Sequence, residues 1–143
     1  MRPEVILALL MLAFFALQDL FRSSISVVWA VLFAIPALAL AWFRPHGDLL
    51  SLFTALLPGI AILLLSRVTR GGIGSGDGIV LLLMGLCLSF YEVLFSLLAG
   101  LSLSFLYSVW LLAGGRGKAR TAFPFLPFLL PGTLLFLYCS HSF

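Results

Sequence analysis

Gly71-Gly72-Ile73-Gly74-Ser75-Gly76-Asp77-Gly78 opens an apolar tract that runs to Gly114, and between Gly78 and Gly114 the only charge is Glu92. As one helix this tract would be about 55 Å long, against a bilayer hydrocarbon core of about 30 Å. Two helices fit better. The turn between them belongs near Ser89-Phe90-Tyr91-Glu92, where the one charge and an interfacial tyrosine lie.

Outward from this tract, further apolar segments run over 5–17, 25–43, 49–66 and 122–138. Flanking residues can extend the short first and last ones to the 17–25 or so residues that a span needs. The sequence therefore predicts an all-α polytopic membrane protein with about six transmembrane helices in a single domain, residues 1–143. Composition agrees. The chain is 63% hydrophobic and 9% charged, with a mean hydropathy of +1.24, whereas soluble domains run near 45–50% apolar and about 25% charged. Pro36 and Pro58-Gly59 fall inside the second and third spans. They are expected either to kink those helices or to pack against neighbours.

Six spans place both termini on one side. With that side outside, the inner segments hold Arg22, Arg67, Arg70, Arg116, Lys118 and Arg120, and the outer ones hold Arg2 and Arg44. Cytoplasmic loops carry the excess of Lys and Arg, so both termini are expected on the outer side. The net charge of +3 comes from basic residues scattered between apolar segments. They form no stripe, and nucleic-acid binding is not expected. Arg2 before an apolar run resembles a signal-peptide start, but Glu4 interrupts the positive region and no small-x-small cleavage site precedes Asp19. The segment is read as the first span.

This topology sorts the acids. Glu4, Asp48 and Glu92 fall on the outer side, and Asp19 and Asp77 on the inner side. Asp19 ends the first span and Asp77 begins the fourth. An acid at a membrane boundary is a functional-site candidate. Two carboxylates held close together share a proton: the ionised one can take a proton from water while the protonated one polarises a carbonyl. That is aspartic-peptidase chemistry and needs no cofactor. Glycines at 71, 72, 74 and 76 free the backbone beside Asp77 for turns and for close approach of a substrate. Plain structural roles also exist. Asp77 can cap a helix start, and Asp19 can pair with Arg22. No metal site is expected, because the two cysteines and two histidines, Cys87, Cys139, His46 and His141, form no closely spaced set of four and no C-x-x-C pair occurs.

Gly74-Ser75-Gly76-Asp77 matches the GxGD motif of intramembrane aspartic peptidases, and its setting after a basic loop and before an apolar hairpin resembles the type IV prepilin peptidases. Asp19-Leu20-Phe21-Arg22-Ser23-Ser24-Ile25 is similar to that family's first aspartate motif. Pro124-Phe125-Leu126-Pro127-Phe128-Leu129 is similar to its Pro-Phe-Gly-Pro-Phe-Leu segment. The resemblance implies a membrane aspartic endopeptidase in the bacterial cytoplasmic membrane, cutting leader peptides of prepilin or pseudopilin substrates at the cytoplasmic face. It implies Asp19 and Asp77 as the catalytic pair, and Gly74, Ser75, Gly76, Pro124, Phe125 and Pro127 as substrate-binding residues. The family's Pro-Asn after the first motif is Ser26-Val27 here, its Lys after the GxGD aspartate is Ile79, and its Gly in the last motif is Leu126. These departures bear on substrate preference. The cytoplasmic C-x-x-C region of larger members has no counterpart in the sequence, so a short form without methyltransferase activity is expected.

Two other readings use the same residues. One is a small proton- or cation-coupled transporter with Asp19 and Asp77 as its site; the other is a non-catalytic scaffold of a secretion machine. Carriers usually bind near the bilayer midplane and show internal repeats, which neither the placement of the two acids nor the sequence suggests.

Overall fold

The computed structural model describes residues 2–22, 25–43, 48–70, 74–115 and 125–142. Among them every regular element is a helix: α1 (Pro3–Arg22), α2 (Val27–Trp42), α3 (Leu49–Val68), α4 (Ser75–Cys87), α5 (Phe90–Ala113) and α6 (Leu126–Ser142). α1, α3 and α5 are each long and apolar enough to cross a membrane; α2, α4 and α6 are shorter apolar helices. Large apolar side chains such as Leu10, Leu38, Phe53, Leu64, Phe105 and Trp110 point outward. So much exposed apolar surface suits lipid and not water, and the chain is a membrane protein.

The break expected in the long apolar tract falls at Leu88-Ser89, within the region the sequence marks for the turn, and Ser89 and Tyr91 are exposed there. Leu88 is buried, and Glu92 lies in the first turn of α5 with only 9% of its surface accessible. α1 runs past its expected end, so Asp19 sits inside the last turn of the helix. Pro36 and Pro58 lie within continuous helices, and Pro58 is buried.

Antiparallel hairpins build the bundle. Phe14 meets Trp29 and Phe33 with ring centroids 4.9 and 5.5 Å apart, joining α1 to α2. α3 and α4 approach through glycine. A Cβ on Gly59, Gly78 or Gly85 would lie 2.6 Å from Leu82 N, 2.7 Å from Leu63 Cγ or 2.5 Å from Ala55 O, respectively. Small residues at helix contacts let backbones come this close, which is how membrane helices gain packing without a hydrophobic drive. α5 and α6 do the same at Gly100 and Gly132, and Phe95 stacks on Phe136 at 5.0 Å.

α4 is the central helix. Gly78, Val80, Leu81, Leu83, Met84, Gly85 and Cys87 are buried around its circumference, and it packs on α1, α2, α3 and α5. α1 buries the stripe Val5, Ala8, Met11, Leu12, Phe15 and Ala16, spaced as one helix face requires. It packs on α6, α4 and α2. At one end of the bundle the last turn of α1 meets the first turns of α4 and α6. At the other end Arg2 pairs with Glu92, beside Leu137, Ser140 and His141. Successive helices therefore alternate in direction. At that end α1, α5 and α6 border a cleft of ≈ 430 Å³ lined by Arg2, Val5, Glu92, Leu137, Ser140 and His141.

Candidate functional site

Asp19 reaches the site from the last turn of α1, and Asp77 from the first turn of α4. Both side chains are half-buried, and their carboxylates are close enough to act on each other electrostatically. The sequence could place the two acids in one leaflet only. Packing of α1 on α4 brings them together.

Asp77 is the third residue of α4 after the cap residue Gly74, and its N–H donates to Gly74 O at 3.2 Å. An acid in a first helical turn is favoured by the helix dipole. The Asp77 carboxylate folds back over Gly74, where a Cβ would lie 3.2 Å from Asp77 Oδ2. Asp19 has a different setting. The backbone of Leu126, the first residue of α6, lies beside its carboxylate. Asp19 Oδ2 is buried without a hydrogen-bond partner, as is Gln18 Oε1 beside it in the chain. Among the described residues no ion pair links Asp19 to Arg22, which is exposed.

The glycines before Asp77 act through space and not through unusual torsions. Gly74 has φ −60° and ψ 121°, values open to any residue, and among the described residues the only glycine with positive φ is Gly115. A Cβ on Gly76 would lie 2.6 Å from Ile25 Cδ1. Gly76 thus seats the α1–α2 link, and that side of it is not open to a substrate. Ser75 is exposed at the first position of α4. Gly71 and Gly72 lie outside the described residues.

The third motif joins the site through its backbone. Phe125 is half-buried against the core, and Pro127 is half-buried in the first turn of α6. Pro124 lies outside the described residues. Proline is tolerated in a first turn because the N–H it lacks has no partner within the helix. Phe128 N–H donates to Phe125 O at 3.0 Å.

Sequence reasoning missed the approach of Ile25 to Gly76 and of the Leu126 backbone to Asp19. A run of glycine signals close approach but not what approaches. A backbone contact leaves no mark in the residue types. No group of three or more potential metal ligands occurs among the described residues. Two neighbouring carboxyl groups such as Asp19 and Asp77 can hold a water and polarise a carbonyl. Compared with models of known families, with curated proteins and with solved structures, the chain matches none.

Proposed function

We propose that this protein is a membrane aspartic endopeptidase with Asp19 and Asp77 as its catalytic pair. The observation that carries the reading is that Asp19 and Asp77 lie near enough across the α1–α4 contact for their charges to interact. The residue-by-residue likeness to the type IV prepilin peptidases supports it and supplies the substrate class, a prepilin-like or pseudopilin leader peptide. In this reading all six helices cross the bacterial cytoplasmic membrane. Both termini are outside, and the acid pair faces the cytoplasm. The alternating helix directions and the distribution of basic residues support that topology.

The chemistry needs one proton shared between two carboxyl groups. The ionised carboxylate removes a proton from water as the water oxygen attacks the scissile carbonyl carbon. The protonated carboxyl donates its proton to the carbonyl oxygen, giving a neutral gem-diol. As the diol collapses, one hydroxyl proton returns to a carboxylate and the amine nitrogen takes a proton as the C–N bond breaks. Acid and amine are released, and the shared proton is restored.

The test is co-expression with prepilin-like proteins of the same genome, reading leader removal by a gel shift. Cleavage by the native chain and its loss in Asp19→Asn and Asp77→Asn supports the reading. A purified, folded protein that moves protons or cations in liposomes and cuts none of these substrates is a transporter instead.

A further inference from the structure

We propose that the cleft bordered by α1, α5 and α6, at the end of the bundle opposite the acid pair, binds the phosphate group of a membrane phospholipid. The two charges in this cleft are not equivalent. Both oxygens of Glu92 are engaged: Oε1 accepts from Arg2 Nη2, and Oε2 accepts the Ser89 N–H. Arg2 is in the opposite position. Its side chain is 60% exposed, and a guanidinium carries more N–H donors than one carboxylate oxygen can take. Ser140 and His141, exposed near the end of α6, bring a hydroxyl and an imidazole to the same cleft. The accessible polar atoms are therefore mainly donors. They suit the oxygens of a phosphate, which the planar fork of arginine matches well. Val5 is buried and Leu137 half-buried at the same cleft, so an apolar wall stands beside the donors. A free anion has no use for that wall. A phospholipid presents phosphate oxygens and glycerol and acyl carbons side by side.

The level of the cleft fits a lipid as well. A Cβ on Gly85 would meet Ala55 O, and one on Gly59 would meet Leu82 N. These contacts set the antiparallel register of α3 and α4. Cys87, the last residue of α4, stands level with about residue 53, one helical turn or ~6 Å short of the start of α3 at Leu49. The link into α5, with Glu92 in its first turn, is thus set back from the end of α3. α3 is long enough to cross a bilayer, so its end marks the edge of the hydrocarbon. The setback puts the Arg2–Glu92 cleft where the acyl chains of that leaflet give way to phosphate. Polar groups at this depth need partners, because hydrocarbon offers none.

The test uses the purified chain in a non-ionic detergent freed of phospholipid. It is titrated with dihexanoylphosphatidylglycerol below its micelle concentration, and with inorganic phosphate and dihexanoylglycerol as separate probes. The short phospholipid is expected to raise the thermal midpoint saturably, as a ligand of the folded state does, and to remain bound as one adduct in native mass spectrometry. Arg2→Gln removes the charged donor and is expected to weaken binding about tenfold or more. Ser140→Phe fills the cleft from α6 and leaves the Arg2–Glu92 pair in place, so it covers the case in which Arg2→Gln does not fold. It is expected to abolish the adduct. An equal shift with inorganic phosphate would make this a free-anion site, and an equal shift with dihexanoylglycerol a site for acyl chains alone; either result overturns the proposal. Unchanged binding in the folded variants also overturns it. The acid pair takes no part in these measurements, so their outcome is independent of the peptidase reading.

Discussion

Ile25 Cδ1 fills the space in which a side chain on Gly76 would begin, 2.6 Å from where its Cβ would stand. Ile25 follows α1, which carries Asp19, and Gly76 precedes Asp77. One apolar contact thus clamps the two acid-bearing segments. Gly76→Ala forces the link or the first turn of α4 to move, and small misplacements of reacting groups cost up to about 10²-fold in rate. The variant is expected to insert normally and cleave at least about tenfold more slowly. Ile25→Ala removes Cδ1 and Cγ1, the two nearest atoms, so the double variant should cleave faster than Gly76→Ala alone. A double variant no better than the single one would falsify the clamp.

Asp19 and Asp77 should behave as one unit. Each Asp→Asn change removes half of a shared-proton pair, so the single variants and the double variant should all fall to the same residual rate. Thermal stability in detergent should change little, because asparagine keeps the shape of each side chain and its capacity to accept a hydrogen bond. Turnover by either single variant near the native rate would exclude the dyad.

Glu92 and Arg2 should contribute unequally to stability although they pair with each other. The Glu92 side chain is 11% exposed and that of Arg2 60%. Glu92 Oε2 also accepts the Ser89 N–H at 2.8 Å, tying the α4–α5 turn. Without Glu92, Arg2 can turn to water. Without Arg2, a buried carboxylate loses one partner, at a cost of about 1–3 kcal/mol. Glu92→Ala loses the turn contact as well as the pair. Thermal melts in detergent should rank native above Arg2→Ala and Arg2→Ala above Glu92→Ala; the reverse order would deny the turn contact its role.

Gly59 and Gly85 should be intolerant of a methyl group for a reason unrelated to chemistry. Their added Cβ atoms would meet backbone atoms of the facing helix, Leu82 N and Ala55 O, which cannot move aside as a flexible side chain can. Gly59→Ala and Gly85→Ala should each cost about 1–3 kcal/mol, the usual scale of overpacking. Equilibrium unfolding in detergent measures this. Native-like midpoints would show that α3 and α4 do not approach so closely.

The six-crossing topology is open to direct labelling. Cys139 is exposed and Cys87 buried, so a Cys139→Ser background is needed. In intact cells, Ser75→Cys should be shielded from an impermeant maleimide and Tyr91→Cys should react, because the first turns of α4 and α5 lie at opposite ends of the bundle. Labelling of both from outside would overturn the six-span reading.

The sequence alone determined the elements. Apolar runs, their lengths and the glycine, proline and charge positions between them act locally, and they predict six helices with a break near Ser89 because no single helix can hold that tract within one bilayer. They also mark Asp19 and Asp77, since an acid beside an apolar run stands out by residue type. Only the tertiary structure decided what meets what. The Ile25–Gly76 clamp, the Arg2–Glu92 pair and the Leu126 backbone beside Asp19 join residues far apart in the chain. Whether they touch depends on how closely whole helices approach, which glycine permits but does not specify. Glu92 shows the limit most clearly. Read locally it is the one charge of a turn at the membrane interface. In the bundle it is a buried anchor, because α1 brings a guanidinium to it from the other end of the sequence.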